Sequence, residues 1–306
     1  MKFDTGAELM RVLVTGGAGF FGSHIVDALV ARGDDVVALD DLSTGDRANL
    51  DPAVPLVVTD IGDRERVRDR VAGERFDAVV HAAAKTKVVE SIAQPALYHR
   101  VIVDGTSNAL DLAQASGAAA FVNVSTGGAL YGETPACATE ESPIDAPSPY
   151  GRYKAEAERL ASSTAGLRAV TLRFANIYGP RQRTDLEGGV IAIFAGAWKR
   201  GLPLTIYGDG SAERDYLHVA DAVTAILAAL DRPVTGAYNI GTGVATSVNE
   251  LLAQLTALLG PPAEVVRAPE REGEIQRSCL DAAKAAREGL WRSAVPLADG
   301  LRRTVA

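Results

Sequence analysis

Short apolar runs, rich in β-branched residues, recur along the first half of the chain and alternate with longer amphipathic stretches. The runs fall at 12–15, 36–40, 56–59, 78–82, 119–124 and 169–174, and each predicts a strand. Stretches 23–31, 64–71, 97–115 and 150–162 carry helical spacing between them. Apolar strands separated by helices predict a parallel sheet covered on both faces. Beyond Gly179-Pro180-Arg181 the rhythm changes. Helices at 190–199 and 220–230 mix with strands at 204–207 and 237–240, and prolines 261, 262 and 269 interrupt the remainder. The pattern predicts an α/β chain with a doubly wound parallel sheet over 10–180. A smaller mixed α/β lobe follows over 181–306, some of whose segments return to the first, with a cleft between the two.

The first turn between strand and helix carries chemistry. Gly16-x-x-Gly19-x-x-Gly22 stands where the first strand becomes a helix. Glycines there allow a tight turn and let backbone amides and a helix N-terminus approach a pyrophosphate. Asp40 closes the second strand roughly 20 residues on, where a carboxylate accepts from the adenosine ribose of a dinucleotide. With Asp41 beside it a ribose 2′-phosphate is repelled, which favours NAD over NADP. The sheet is therefore expected to be Rossmann-type.

Ser148-Pro149-Tyr150-Gly151-Arg152-Tyr153-Lys154 opens a helix with a phenol and an ammonium four residues apart, on one face. A free tyrosine titrates near pH ~10. A nearby positive charge lowers that value and makes Tyr150 a proton acceptor. Tyr153 points elsewhere and reads as packing, and His81 as a buried structural histidine.

Composition narrows the setting. With 306 residues, 47% hydrophobic and 23% charged, the chain is an ordinary soluble globular protein with ample core. A net charge of −8 without basic runs argues against nucleic acid and anionic membranes as partners. No apolar run approaches the ~20 residues of a membrane span. The polar N-terminus, where residues 1–9 read as an extension or an alternative start, lacks the apolar core of a signal peptide, so a cytoplasmic location is expected. Cys137 and Cys279 are too few for a disulfide framework or a zinc site, and no metal is expected.

These motifs, in this order, resemble the extended short-chain dehydrogenase/reductase family, and within it the nucleotide-sugar epimerases. The likeness covers Thr15–Gly22, residues 39–45, Asp60-Ile61, His81–Ala84, residues 125–132, Tyr150–Lys154 and residues 172–182. In the second lobe it takes in residues 206–210, Arg214-Asp215-Tyr216, Asn239-Ile240-Gly241 and Arg271-Glu272-Gly273-Glu274. The resemblance implies Tyr150 as base and Lys154 as anchor of the nicotinamide ribose. Gly16, Gly19, Phe20, Phe21, Gly22, Asp40, Asp41, Ser43, Thr44, Asp60, Ile61, Ala82, Ala83 and Ala84 would line NAD. Asn176, Arg214 and Arg271 would hold the diphosphate of a UDP-sugar, with Tyr216 and Glu274 nearby and Thr205 and Tyr207 against the uracil. It also implies a homodimer packed through helices 97–115 and 150–162.

Three departures bear on the reaction. Many relatives place a catalytic Ser or Thr where this chain has Gly127; Thr126 is then the expected hydroxyl, with Ser125 in reserve. Ile102 replaces an asparagine that orders water and the lysine, which leaves open a slowed enzyme or a catalytically weak NAD-binding protein. Gly128 and Ala129 stand where related dehydratases carry acids and cannot transfer a proton, so transient oxidation at C4 should end in epimerisation. A reductase or dehydrogenase that releases its cofactor is the enzymatic alternative. The small Ser278 would admit an N-acetyl group, so UDP-N-acetylglucosamine joins UDP-glucose as an expected substrate.

Overall fold

A computed structural model of the chain describes residues 9–184, 189–270 and 275–305. In chain order the main elements begin with β1 (Arg11–Thr15), α1 (Phe20–Arg32), β2 (Asp35–Asp40), β3 (Leu56–Val58), α2 (Arg64–Arg70), β4 (Ala78–His81), α3 (Val88–Ala93) and α4 (Pro95–His99). They continue with α5 (Gly105–Ser116), β5 (Ala120–Thr126), α6 (Pro149–Ser163), β6 (Arg168–Phe174), β7 (Asn176–Tyr178), α7 (Val190–Lys199), β8 (Leu204–Tyr207) and β9 (Glu213–His218). The last are α8 (Val219–Asp231), β10 (Gly236–Ile240), β11 (Ala245–Ser247), α9 (Val248–Leu259), β12 (Val265–Ala268), β13 (Arg277–Ser278), α10 (Ala283–Arg287) and α11 (Leu297–Val305). All six apolar runs of the first half are strands.

The chain divides into two compact units, both discontinuous. Unit 1 takes residues 1–125, 148–173 and 223–238; unit 2 takes 126–147, 174–222 and 239–306. A single cut near 180 therefore describes only one of several crossings, because 126–147 joins unit 2 and most of α8 returns to unit 1.

Unit 1 is built on a seven-stranded sheet of order β10-β6-β5-β4-β1-β2-β3. The pairs β1–β2, β1–β4, β2–β3 and β4–β5 all run parallel. Strand β1 is buried from Val12 to Thr15 and β4 throughout, as strands covered on both faces must be. One core cluster joins Leu13, Leu39, Val79 and Phe121 of the sheet to Val67, Val101, Leu110 and Ala161 of the helices. Each of the larger side chains contributes roughly 1.5–3 kcal/mol on burial.

The 97–115 stretch, expected as one helix, is α4 and α5 joined by a π-helical turn over Arg100–Asp104. A single widened turn is too local for a window of helical periodicity to register, and across it three successive residues, Val101, Ile102 and Val103, are all buried.

Unit 2 holds a four-stranded sheet with β9 at its centre, paired with β11, β13 and β7. Its separate pair β8–β12 is parallel. Helix α9, unforeseen because prolines follow it closely, has its own start signal. Ser247 and Glu250 form a reciprocal capping box, and Leu251 and Leu255 face the core.

Candidate functional site

The residues expected to line the cofactor lie in unit 1. The amides of Gly16 and Gly17 donate to the Leu39 carbonyl at 2.7 and 3.3 Å, folding the glycine turn over the end of β2. A Cβ on Gly16, whose φ is 69°, would lie 2.7 Å from the Ala83 nitrogen; one on Gly22 would lie 1.9 Å from the Gly16 carbonyl oxygen. Backbone packs on backbone here, so both positions require glycine. Gly19 caps α1 without a side chain of its own, so a phosphate can approach the helix N-terminus closely. Phe20 and Phe21 begin the helix, and the Phe20 ring meets His24 edge-on at 5.9 Å.

Asp40 is buried, and its two carboxylate oxygens accept from the amides of Ala18 (3.0 Å) and Leu42 (2.8 Å). Burial raises its pKa against the opposing pull of these amides. Leu42 takes φ 59° to make its bond, a left-handed backbone held for that contact. The Gly19 amide draws on the same carboxylate; a carboxylate has about four acceptor positions, so Asp40 can order the glycine turn and still accept from a ribose. Asp41, exposed, binds the Ser43 amide at 2.9 Å, and the Lys85 ammonium donates to Ser43 Oγ at 3.1 Å.

Asp60 pairs with Arg100 at 2.6 Å. Ile61 departs from expectation: its side chain lies in the core cluster and its carbonyl accepts from Asn108 at 2.8 Å. The apolar side chain beside α5 turns inward, which leaves the carboxylate of Asp60 as the partly exposed member of the pair. These surroundings fit NAD: a glycine turn at a helix N-terminus, a buried carboxylate and a second acid beside it.

Helix α6 carries the expected Tyr150–Lys154 pair. Ser148 accepts from the Gly151 amide at 3.1 Å and Pro149 takes the first turn, so the helix starts sharply. Tyr150 and Lys154 follow on one buried face. The Lys154 Nζ donates to the Val124 carbonyl at 2.8 Å. Burial lowers its pKa to about 8, opposed by the negative charge of Glu158.

Glu158 is a residue that the sequence motifs do not single out. It continues the Tyr150–Lys154 face one turn further, and that register is the signal that points to it. Its carboxylate accepts Nε of Arg173 at 3.1 and 3.0 Å, Nη2 at 2.6 Å, and Ser125 Oγ at 2.5 Å, all buried. His81 is indeed structural. Thr106 donates to the Ile102 carbonyl at 2.6 Å, so its oxygen accepts from His81 Nε2 at 3.1 Å. His81 Nδ1 then accepts from Thr15 at 2.7 Å, and Thr15 accepts from the Ala83 amide at 3.3 Å. Burial and the Lys154 charge hold the His81 pKa near 3, as a neutral relay requires.

Of the expected substrate residues, Arg214 and Tyr216 lie on β9 in unit 2, with Ser278 and Asn176 on the strands paired to it. Register places Ser278 beside Arg214 and Asn176 beside Tyr216. Arg214 donates to the Glu213 carbonyl at 2.9 Å and to that of Gln276 at 3.4 Å. Tyr216 is a core residue, its ring edge-on to Tyr178 at 6.4 Å. Thr205 and Tyr207 occupy the exposed positions of β8, whose burial alternates. Tyr207 also lines a cavity of about 270 Å³ with Asp209, Ser211 and Gln276. Arg271 and Glu274 lie outside the described residues.

The departures acquire physical reasons in unit 2. A Cβ on Gly127 would lie 2.3 Å from the Leu280 side chain, so no hydroxyl-bearing residue fits there without repacking. A Cβ on Gly128 would lie 3.1 Å from Ser278 Oγ and 3.7 Å from Asn176 Oδ1. A side chain at 128 would press on the serine hydroxyl, which would have to shift. Thr126 Oγ1 accepts from the Ala129 amide at 3.4 Å. The cysteines, too few for a disulfide framework, form a single cross-link that the sequence does not announce: Cys137 and Cys279, 142 residues apart, are brought to a Cα separation of 4.4 Å and bonded. Among the described residues no cluster of His, Cys, Asp or Glu could hold a metal ion, and no helix is long and apolar enough to cross a membrane.

Comparison with known proteins agrees with this geometry. The UDP-glucose 4-epimerase of Mycolicibacterium smegmatis is 38% identical over 307 residues, covering 97% of both chains. Thermotoga maritima UDP-glucose 4-epimerase, solved with UDP-glucose, superposes with a TM-score of 0.93 at 38% identity, covering 97% of each chain. The Thermus thermophilus UDP-glucose 4-epimerase in complex with NAD gives 0.92 at 42% identity, over 97% of this chain and 98% of that one. Residues 12–241 match the NAD dependent epimerase/dehydratase family, and the chain belongs to it.

Proposed function

We propose that the chain epimerises a nucleotide sugar, a UDP-hexose at C4, with NAD as its bound cofactor. The observation that carries this reading is the pairing of an intact Tyr150–Lys154 face with Gly128 and Ala129, which offer no side chain to drive elimination. NAD supplies, when bound, a hydride acceptor that also gives the hydride back. Tyr150 takes the proton of the sugar 4-hydroxyl and later returns it to the opposite epimer. The Lys154 charge favours the Tyr150 phenolate, and Thr126 binds the reacting sugar oxygen. Arg214, Arg271 and Asn176 grip the diphosphate while the sugar turns; guanidinium suits that grip because it donates two bonds to phosphate oxygens. Ser278 leaves room for UDP-N-acetylglucosamine as well as UDP-glucose. A homodimer in the cytoplasm completes the reading; light scattering measures the former.

The test is conversion of UDP-glucose to UDP-galactose without added cofactor and without release of reduced cofactor. Stoichiometric consumption of free NAD(H) would favour a reductase or dehydrogenase instead. Tyr150→Phe should keep NAD affinity while lowering turnover about 10²–10⁴-fold. Binding without conversion of any sugar in a broad panel would favour the weak NAD-binding protein that Ile102 suggests.

A further inference from the structure

Both cysteines of the chain are in one cross-link, and it joins two stretches of unit 2 that have little regular structure. On one side, 133–138 has no helix or strand beyond the isolated bridge of Ala138 to Leu280. On the other, 276–281 contains only the two residues of β13. The two are stitched along their length. The Glu133 carboxylate accepts the amides of Gln276 and Arg277, each at 2.7 Å. The Ala138 amide donates to the Cys279 carbonyl at 2.9 Å, and the Asp281 amide to the Ala138 carbonyl at 2.8 Å. The disulfide is the covalent tie among these hydrogen bonds.

Cys279 stands between two side chains that shape the Gly127-Gly128 surface. The Leu280 side chain lies 2.3 Å from where a Cβ on Gly127 would stand, too close for one to fit, and Ser278 Oγ 3.1 Å from one on Gly128, a tight contact. Backbone movement at Cys279 moves both. Cys279 is itself buried, whereas Cys137 is half-buried and is the sulfur that a reagent meets.

We propose that the Cys137–Cys279 disulfide is a positioning cross-link for sugar selection, holding Ser278 and Leu280 against Gly128 and Gly127. The oxidised chain discriminates nucleotide sugars by bulk, and the reduced chain does so less. This rests on the reading of unit 2 as the nucleotide-sugar side. Interconversion requires a dithiol. Its thiolate attacks the Cys137 sulfur and forms a mixed disulfide, releasing the Cys279 thiolate. Its second thiolate then frees Cys137. Two electrons pass to the cysteine pair, each cysteine sulfur takes up a proton, and the dithiol leaves as a disulfide.

The experiment compares three forms of the full chain, each loaded with NAD: air-oxidised, dithiothreitol-reduced and the double variant Cys137→Ser/Cys279→Ser. Thiol titration confirms the redox state of the first two. Calorimetry gives Kd for UDP-glucose and UDP-N-acetylglucosamine, and turnover is followed in parallel. The ratio of the two Kd values should change about threefold or more on reduction, and reoxidation should restore it. The double variant should match the reduced form, with NAD affinity the same in all three. An unchanged ratio overturns the proposal, as does free thiol in the air-oxidised chain. Loss of far-UV ellipticity on reduction at the assay temperature overturns it too, since the cross-link would then hold the fold. A shifted ratio without turnover sustains this inference while removing the epimerase reading; no binding of either sugar removes both.

Discussion

The hydroxyl of Ser125 donates to a carboxylate oxygen of Glu158 at 2.5 Å, and Arg173 grips the same carboxylate. A buried carboxylate so held leaves the Ser125 proton with a strong charge-assisted acceptor. The neighbouring Thr126 instead accepts from the Ala129 amide at 3.4 Å and keeps its own proton to donate. Two adjacent hydroxyls, inseparable by type, thus have different occupations.

Ser125→Ala should therefore leave turnover within a few-fold while costing about 1–3 kcal/mol of stability, the usual penalty for depriving a buried acceptor. Thr126→Val should lower kcat about 10²–10³-fold, the usual effect of losing a single donor to developing charge. Steady-state kinetics and urea unfolding of both variants measure the two effects. The reverse ordering would make Ser125 the hydroxyl that meets the sugar.

Features written in adjacent residues are legible in the sequence by itself. The glycine turn, Asp40 and the Tyr150–Lys154 spacing depend on local backbone, and the strands of unit 1 show as continuous apolar runs. What the sequence hides depends on partners that no local pattern pairs. Arg173 reaches Glu158 from β6, and Cys137 meets Cys279 over 142 residues. The inward turn of Ile61 and the burial of Tyr216 are hidden for a related reason. A motif names a residue beside a ligand without saying whether its side chain or its backbone faces that ligand.

Lys154 predicts a pH dependence. Its pKa falls to about 8 through burial, against 10.5 for a free lysine, so its charge is lost as pH rises through about 8. The groups of unit 1 that act on it are Glu158 on its own helix and His81, which stays neutral; Tyr150 shares its helix face one turn earlier. The kcat/KM profile should bend downward above pH about 8, and Glu158→Gln should move that bend to lower pH by removing the charge that supports the ammonium. For stability the sign is opposite. Between pH 8 and 10.5 the unfolded chain binds more protons at this site than the folded one, so its contribution to stability rises with pH there. A flat kcat/KM profile to pH 10 would separate Lys154 from the reaction.

Gly22→Ala tests the cofactor turn. The added methyl would sit 1.9 Å from the Gly16 carbonyl oxygen and 2.7 Å from its carbon. These are backbone atoms with no rotamer to change, so the turn itself must move. NAD affinity should fall by about 100-fold or more, with a loss of about 1–3 kcal/mol in stability typical of overpacking. Helical content should remain, because the change touches one turn of α1. Fluorescence titration with NADH and far-UV dichroism distinguish this from global unfolding.

Arg214 gives the sharpest test of the substrate side. Its guanidinium is held by two backbone carbonyls, those of Glu213 and Gln276, and by the register of β9 against β13. A charged donor fixed in place before a phosphate arrives loses little conformational freedom on binding it. Arg214→Ala should weaken binding of UDP-glucose and of UDP alone about 10–100-fold, the worth of one or two charge-assisted bonds. Arg214→Lys should recover only part of that loss, because an ammonium keeps the charge but not the planar pair of donors. The NAD affinity of both variants should equal that of the parent, since Arg214 belongs to unit 2 and the glycine turn proposed to hold NAD to unit 1. Calorimetry with UDP, UDP-glucose and NAD reads all three expectations, and equal loss of NAD and UDP binding would show that the substitution had damaged the fold instead.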